Sequence, residues 1–332
     1  MWLITTRSQV RVLPPLPSEN NRGESTKHVG SLFISPLLFR FQSCLVFDIL
    51  PVMQSKLPKL ALGTWLMGGT KEPDPNNDDE KDISVIRTAI DSGVTLIDTA
   101  QNYADGRCEE LVGQAIASYP REKVQILTKQ KRLSLSYDEV IQGCKDSMKR
   151  LGVDYLDYFV CHAPNPDFDL TDFFKASNQL HKDGLIKNVG VSNFGVKSLR
   201  IAVDTSDLPI ALNQVSFSIN DGDILTSGVY DFCLKHNIPI QAYRPLVDIK
   251  KEQDSYDALV NVAEKMKLTP HQVLIAYLNS YEGVNFTTRA SSPKHWSEIR
   301  DALNISLATF DLEALKHVHL TKQGSFGHFL DM

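Results

Sequence analysis

The sequence predicts a (β/α)8 TIM barrel from three observations: short apolar runs, chemical groups at their ends, and helical segments between them. Five runs, VTLID, VQILTK, YLDYFVCH, KNVGVSN and IALNQ, are rich in Val, Ile and Leu, as buried strands of a parallel sheet are. They end at Asp98, Lys129, His162, Asn193 and Gln214. Barrel enzymes carry their catalytic groups at the carboxyl ends of such strands. An acid, an amine and an imidazole at the ends of three consecutive runs therefore predict an active site as well as a fold.

The first half of the domain alternates strand and helix signals. Strands are predicted at 60–64, 94–98, 124–129 and 154–162, and helices at 82–93, 108–119 and 137–152, with a fourth helix ending near Gly184. In the first of these helices, Ile83, Ile86 and Ile90 recur at helical spacing. Ser136 and Glu139 have the spacing of a capping box at the start of the third.

The same alternation continues to residue 320. Strands are predicted at 186–193, 209–217, 238–243 and 284–288, and helices at 196–203, 223–236, 270–278, 293–303 and 312–320. Thr269–Pro270 and Ser292–Pro293 each place a capping side chain before a proline that suits the first helical position. The predicted strands number eight and alternate with helices, and eight is the number of strands that closes such a barrel. An open, doubly wound sheet is the alternative, but TWLMGGTKE after the first strand lacks the GxGxxG turn of dinucleotide-binding folds.

Length, charge and cysteine content limit the classes of protein to which this chain can belong. The chain has 332 residues, 42% of them hydrophobic, which is ample for one barrel of about 250 residues. Its net charge of −5 and pI of about 6.0 lack the basic signature of nucleic-acid binding. Five cysteines without a CxxC pattern favour reduced thiols, so we expect a cytoplasmic protein. Cys161 should be a core thiol, because its side chain alternates with that of His162 on one strand.

Residues 1–52 fall outside the pattern, and residues 53–332 are predicted to form a single barrel domain. The apolar stretch 31–52 is interrupted by proline and by charged residues such as Arg40, so we expect no membrane-spanning helix there. An Arg-containing start with few acidic residues is compatible with a transit peptide. We favour a different hypothesis, in which the protein begins at Met53 and the preceding residues are a mis-assigned start or a disordered leader.

Several motifs resemble those of the aldo-keto reductase family. GVTLIDTAQNYADGRCEELVGQAI is similar to the family signature around the second strand, and GLIKNVGVSNF is similar to the fifth-strand motif. LALGTW near the start, and AYRPL and RASSPKH near the end, resemble the family as well and occur in family order. The resemblance extends from Lys56 to the end of the chain. It implies a (β/α)8 barrel that reduces aldehydes or ketones with a nicotinamide cofactor, usually NADPH, and without a metal.

The resemblance implies a catalytic tetrad of Asp98, Tyr103, Lys129 and His162. Hydride addition to a carbonyl group builds negative charge on its oxygen, so the reaction needs a proton donor. Tyr103 would be that acid, and the Lys129 ammonium would lower the pKa of its phenol from about 10. Asp98 would pair with Lys129 and keep it charged. His162 would hydrogen-bond the carbonyl oxygen and orient it.

The resemblance also assigns residues to the nicotinamide and to the substrate. Ser192, Asn193 and Gln214 match the residues that hold the nicotinamide carboxamide, a task that suits amides because they both donate and accept. Tyr243 matches the aromatic side chain that stacks on the nicotinamide ring. Trp65 matches an aromatic residue that lines the substrate pocket.

Two arginines are assigned to phosphate groups. Arg244 is expected to face the pyrophosphate, and Arg289 matches a basic residue that binds the adenosine 2′-phosphate, because a guanidinium suits phosphate oxygens. His295 and Ile299 stand where the family often has Arg and Asn at the adenine end. NADPH is therefore the expected cofactor, and NADH is the lesser alternative.

Three functions are compatible with these residues. The leading one is NADPH-dependent reduction of a small-molecule carbonyl compound. The second is a redox-sensing or regulatory subunit that binds NADPH with little turnover. The third is a barrel lyase or aldolase, in which Lys129 would form a Schiff base. We expect no nucleic-acid or membrane partner, and the sequence leaves the oligomeric state and the physiological carbonyl compound open.

Overall fold

Eight parallel strands close into a barrel in the computed structural model, which describes residues 57–132, 135–246 and 254–320. The strands are Leu60–Gly63 (β1), Leu96–Asp98 (β2), Gln125–Gln130 (β3), Leu156–Cys161 (β4), Ile186–Ser192 (β5), Ile210–Ser216 (β6), Ile240–Tyr243 (β7) and Val284–Thr288 (β8). Each strand pairs with the next one in the chain, and β8 pairs with β1. The predicted (β/α)8 fold is confirmed, whereas the predicted leader 1–52 lies outside the described residues.

Helices follow the strands throughout the described residues. They are Asp79–Asp91 (α1), Arg107–Ile116 (α2), Tyr137–Leu151 (α3), Leu170–Lys182 (α4), Val196–Thr205 (α5), Asp223–Thr226 (α6), Val229–Lys235 (α7), Asp254–Met266 (α8), Pro270–Asn279 (α9), Pro293–Ala302 (α10) and Thr309–Leu320 (α11). The single helix predicted at 223–236 is wrong, because Gly228 breaks it with a φ of +81°. α8 has no counterpart among the predicted elements. Within the ranges described, none of the helices combines the length and the apolar content that crossing a membrane requires.

The barrel interior is filled in layers by side chains that alternate along each strand. Ala61, Leu127, Tyr158 and Leu212 belong to an apolar cluster inside the barrel, below the polar groups at the strand ends. The alternate side chains of the same strands pack outward against the helices in a larger core. At Gly190 on β5 a Cβ atom would come within 3.0 Å of the Leu212 side chain, so the interior fits only glycine there without a shift.

The loops at the carboxyl ends of the strands contain a group of left-handed backbone conformations. Leu66, Ala104, Asp105, Asn193 and Arg244 all have positive φ and follow β1, β2, β5 or β7. Among the described non-glycine residues with positive φ, only two others lie elsewhere. Such conformations are unfavourable for residues with a Cβ atom and concentrate at functional sites. The backbone therefore points to the same face of the barrel as the predicted catalytic residues.

Candidate active site

The four residues of the predicted tetrad meet at the carboxyl ends of β2, β3 and β4. Asp98 ends β2, Lys129 lies next to the last residue of β3, and His162 directly follows β4. Tyr103 opens a short 3-10 turn, Tyr103–Gly106, after β2. Because parallel strands in a closed barrel end on one face, residues that are far apart in the sequence become neighbours here.

The Lys129 ammonium lies at the centre of this group. Its side chain is fully buried and donates to Asp98 Oδ1, to the Thr99 carbonyl oxygen at 2.8 Å and to the Tyr103 hydroxyl at 3.3 Å. These acceptors use all three N–H donors of the ammonium. Burial is the largest single influence and works against the charge, but the interactions with Asp98 and Tyr103 together outweigh it and raise the pKa of Lys129. A charged and fully bonded amine is a poor nucleophile, which argues against the Schiff-base hypothesis.

Asp98 is held by donors from three other strands. In addition to the contact with Lys129 on β3, its Oδ2 accepts from Gln214 Nε2 on β6 at 3.0 Å and from the Thr287 hydroxyl on β8 at 2.8 Å. Both carboxylate oxygens therefore carry hydrogen bonds, and the group is fixed in one orientation toward Lys129. The Gln214 side chain, assigned to the nicotinamide from the sequence, thus donates directly to Asp98.

The pKa of Tyr103 moves in the direction opposite to the prediction. Burial raises it above its usual value, and the ammonium of Lys129, which lowers it, does not reverse that effect. The negative charge of Asp98 adds to the rise. The predicted lowering of the Tyr103 pKa is wrong, because burial of the phenol has a larger effect on this pKa than the Lys129 ammonium. At neutral pH the phenol therefore keeps its proton, as a proton donor must before the reaction.

His162 is a neutral imidazole in this site. Burial, together with the charges of Lys129 and Arg132, lowers its pKa to about 3. Its ring lies 5.8 Å from the Tyr103 ring, with 74° between the two planes. His162 Nδ1 is buried and has no hydrogen-bond partner among the described residues. The neighbouring Cys161 packs in the layer between sheet and helices, so the predicted alternation of these two side chains is confirmed.

A cavity of about 380 Å³ opens above the tetrad. This volume lies within the range of small-molecule sites, roughly 300–1,000 Å³. Trp65 forms part of its wall: the residue is 44% exposed, and its ring meets the Tyr103 ring edge-on at 4.9 Å. The other lining residues are Gly63, Asp98, Asn102, His162, Ser192, Asn193, Gln214, Tyr243, Arg244, Thr287, Thr288 and Arg289. The structure thus brings every residue that the sequence assigned to the site, except the buried Lys129, to the lining of one cavity.

The residues assigned to the nicotinamide form one wall of this cavity. The Asn193 side-chain amide donates to the His162 carbonyl oxygen and to the Ser192 hydroxyl, each at 3.1 Å. Asn193 Oδ1 accepts from the Tyr243 hydroxyl at 3.0 Å, and Ser192 Oγ donates to the Gln214 carbonyl oxygen at 2.9 Å. These bonds join the ends of β5, β6 and β7, and they fix the orientation of the Tyr243 ring.

A second cavity, of about 690 Å³, shares one residue, Arg289, with the first. Lys81 from α1 also lines it, as do His295 and Ile299 from α10. The first cavity thus offers amides, an aromatic ring and the Arg244 guanidinium, the second adds Lys81, and Arg289 lines both. This set of groups fits a nicotinamide dinucleotide with a phosphate on its adenosine.

Arg244 lines the first cavity with its backbone in the left-handed region, at a φ of +56°. It directly follows Tyr243, the last residue of β7. Its positive charge acts on the carboxyl of Asp221, where burial raises the pKa and the guanidinium opposes the rise. Arg244 therefore lines the cavity and is near enough to the buried Asp221 to act on its carboxyl group.

Asp82 connects Arg289 to the loop between β1 and α1. The Asp82 carboxylate is almost fully buried, and its Oδ2 accepts from the Gly68 N–H at 3.0 Å and from the Asn77 side-chain amide at 2.9 Å. Its Oδ1 lies 3.9 Å from the Arg289 guanidinium. The same carboxylate thus holds the loop that carries Trp65 and faces the cation shared by the two cavities.

The match to known proteins extends along most of the chain. The family model described as the aldo/keto reductase family matches residues 59–319. The chain belongs to the aldo/keto reductase family. The family predicted from the motifs is therefore confirmed, and this aldo/keto reductase is an oxidoreductase that acts on carbonyl groups with a nicotinamide cofactor.

Individual relatives of this aldo/keto reductase cover most of its length. The methylglyoxal reductase YeaE of Escherichia coli (strain K12) is 29% identical over 275 residues, which cover 81% of this chain and 93% of the relative. The NADPH-dependent alpha-keto amide reductase of Saccharomyces cerevisiae is 29% identical over 245 residues, 70% of this chain and 75% of the relative.

Solved structures show the same fold. The thermostable aldo-keto reductase Tm1743, in complex with the inhibitor epalrestat, has a TM-score of 0.76 at 33% identity and matches 79% of this chain and 95% of its own. An aldo-keto reductase from Klebsiella pneumoniae in complex with NADPH has a TM-score of 0.71 at 30% identity and matches 83% of this chain and 95% of its own.

Several residues of this site are not predicted from the sequence, among them Asn102, Thr287 and Gln241. Asn102 lines the cavity directly before Tyr103, Thr287 donates to Asp98, and Gln241 lies beneath the site on β7. Thr287 carries a usable signal, because it is a polar residue near the carboxyl end of a predicted strand. Asn102 and Gln241 carry no signal of that kind, since one is a loop residue and the other is internal to its strand.

Proposed function

We propose that this aldo/keto reductase reduces a small aldehyde or ketone to the alcohol with NADPH, and that Tyr103 is the general acid. The observation that carries the proposal is the chain of contacts from Asp98 through Lys129 to the Tyr103 hydroxyl, on the floor of an open cavity. When bound, NADPH supplies the hydride that adds to the carbonyl carbon. The protein's own task is to hold the carbonyl oxygen and to give it a proton.

The proton transfer is assigned to groups that are already in contact. Tyr103 gives its phenolic proton to the carbonyl oxygen as negative charge develops there. The Lys129 ammonium, 3.3 Å from the phenol oxygen, stabilises the phenolate that results. Asp98 holds the ammonium in place and keeps it charged. His162, neutral at working pH, donates a ring N–H to the carbonyl oxygen and orients it.

The cofactor would be held by the wall that joins β5, β6 and β7. Ser192, Asn193 and Gln214 would bind the carboxamide, and the Tyr243 ring would stack on the nicotinamide. Arg244 and Arg289 would bind phosphates: Arg244 the pyrophosphate, and Arg289 the adenosine 2′-phosphate from its position between the two cavities. The names of two relatives support NADPH and a small reactive carbonyl compound, respectively.

The direct test is to measure cofactor oxidation, by the loss of absorbance of the reduced nicotinamide, with a panel of aldehydes, ketones and dicarbonyls. The panel includes methylglyoxal, and NADPH and NADH are compared side by side. Turnover with NADPH in preference to NADH is the expected result. Tight NADPH binding without turnover of any carbonyl compound would favour the redox-sensing or regulatory role instead.

Replacing Arg289 by alanine is expected to raise the NADPH dissociation constant and to leave that of NADH nearly unchanged. Only NADPH offers a 2′-phosphate, and a charge-assisted hydrogen bond is worth roughly 1.5–3 kcal/mol, or about tenfold to a hundredfold in affinity. Fluorescence titration with both cofactors measures the effect. Arg289→Lys keeps the charge without the planar fork and should give a smaller loss. An equal loss for both cofactors would remove Arg289 from this role.

His162 is expected not to titrate between pH 8 and pH 5. Its pKa of about 3 lies far below the ordinary value of about 6.5. The unfolded chain therefore binds this proton below about pH 6.5 and the folded protein does not, so His162 destabilises the fold as the pH falls from there toward 3. Histidine NMR resonances followed from pH 8 to pH 5, with His162→Gln used for assignment, would check it. A midpoint near 6.5 for His162 would contradict this account.

A further inference from the structure

Gln241 lies inside the barrel beneath the tetrad and is assigned neither to catalysis nor to cofactor binding. It is fully buried on β7, two residues before Tyr243, so both side chains point to the barrel interior. Gln241 Oε1 accepts from Gln214 Nε2 at 2.7 Å. The same Gln214 nitrogen donates to Asp98 Oδ2 at 3.0 Å. Gln241 is therefore hydrogen-bonded to Gln214, which is in turn hydrogen-bonded to Asp98.

The orientation of both amides follows from the chemistry of Asp98. A carboxylate paired with an ammonium can only accept, so Gln214 must present its NH2 group to Asp98. The two hydrogens of that group are then used, one on Asp98 and one on Gln241. Gln241 must in turn present its oxygen to Gln214. If the oxygen and nitrogen of the Gln241 amide exchanged places, its NH2 group would face the NH2 group of Gln214, and no hydrogen bond could form between them.

In this arrangement the side-chain nitrogen of Gln241, Nε2, takes no part in the contact with Gln214. This nitrogen is buried and has no hydrogen-bond partner among the described residues. A buried donor without an acceptor carries a desolvation cost, and an apolar side chain of similar size would avoid it. Stability alone therefore does not explain a glutamine at this position.

We infer that Gln241 is a positioning residue for the reaction. By accepting one hydrogen of the Gln214 amide, it keeps the other hydrogen on Asp98. Asp98 then stays fixed in its contact with Lys129, and the ammonium stays in place opposite the Tyr103 hydroxyl. This inference rests on the proposed function, because it gives Gln241 its importance through the proton donor.

The test compares Gln241→Met with the unchanged protein. Methionine has a similar volume and no amide, so the core stays filled. A crystal structure of the variant should show Gln214 Nε2 out of hydrogen-bond distance of Asp98. In turnover assays, kcat should fall on the order of threefold to tenfold, because Asp98 loses one donor but keeps Lys129 and Thr287, so that only part of the effect reaches Tyr103. The melting temperature should not fall.

Two further variants separate positioning from packing. Asn285 lies beside Gln241 in the sheet register, and the contacts of its amide are to the carbonyl oxygens of Ile240 and Gly283. Asn285→Met should lower the melting temperature and leave Gln214 on Asp98. In a Gln214→Met background, Gln241→Met should have no further effect on kcat, because its intermediary is gone.

The outcomes are distinguishable from failure of the proposed function. If the unchanged protein reduces no carbonyl compound, the proposed function fails, and the crystal structure still decides whether Gln241 sets the Gln214 orientation. If Gln214 remains on Asp98 in Gln241→Met, the inference is overturned. It is also overturned if Gln214 moves away and kcat does not change in an active protein.

Discussion

Replacing Tyr103 by phenylalanine is expected to lower kcat by about 10²- to 10⁴-fold, the usual contribution of a general acid. The substitution keeps the ring that packs edge-on against Trp65 at 4.9 Å and removes only the hydroxyl that Lys129 contacts. The proton source is lost while the cavity keeps its shape. Steady-state oxidation of NADPH with the best carbonyl compound of the panel measures the effect.

Cofactor binding is the control for this variant. The groups assigned to NADPH lie on β5, β6 and β7 and at Arg289, so the dissociation constant should stay within about twofold of the original. Near-normal turnover by a Tyr103→Phe protein that still binds NADPH would mean that another group delivers the proton. The assignment of Tyr103 as general acid would then be wrong.

Lys129→Met should reduce kcat by a comparable factor, about 10²- to 10⁴-fold. Burial already raises the pKa of Tyr103, and Lys129 is the nearby group that opposes this rise. Without the ammonium the phenolate has no cation beside it, and proton transfer becomes harder. The variant should also be less stable by about 3–5 kcal/mol, because it leaves the Asp98 carboxylate buried without its partner.

A double variant separates the two effects of removing Lys129. In Lys129→Met/Asp98→Asn no unpaired charge remains in the barrel, and replacing both members of a buried ion pair is often neutral for stability. Thermal or urea unfolding should therefore show recovered stability, while kcat stays low. Recovery of turnover together with stability would show that the single variant was inactive because it unfolds, and Lys129 would lose its catalytic role.

The sequence predicts the tetrad well because its members end successive strands. Asp98, Lys129 and His162 are each visible as a chemical group after a Val/Ile/Leu-rich run, and the barrel topology brings such ends together. Tyr103 lies in a turn after β2 and does not end a strand, so only the family motif predicts it. The number of strands, read from the alternation, was sufficient to predict the closed barrel.

The interior network was not predictable in the same way. Which side chain donates to Asp98 depends on the register between strands and on distances of a few tenths of an ångström, as at Gln214 and Thr287. The direction of the Tyr103 pKa depends on burial, which competes with the charge of Lys129. Sequence spacing gives the charges but not the degree of burial, and the predicted direction of the Tyr103 pKa shift is therefore wrong.

The left-handed residues above the barrel bear on how this enzyme could adapt to heat. Each of Leu66, Ala104, Asp105, Asn193 and Arg244 holds a backbone conformation that costs about 1–3 kcal/mol. Their sum is comparable to the whole net stability of an ordinary domain, about 5–15 kcal/mol. Glycine at these positions would relax the chain and raise thermal tolerance, but at Asn193 and Arg244 it would remove groups that line the cavity. A lineage under selection for heat resistance would therefore find its safest gains at the opposite end of the barrel, away from the loops where chemistry and strain coincide.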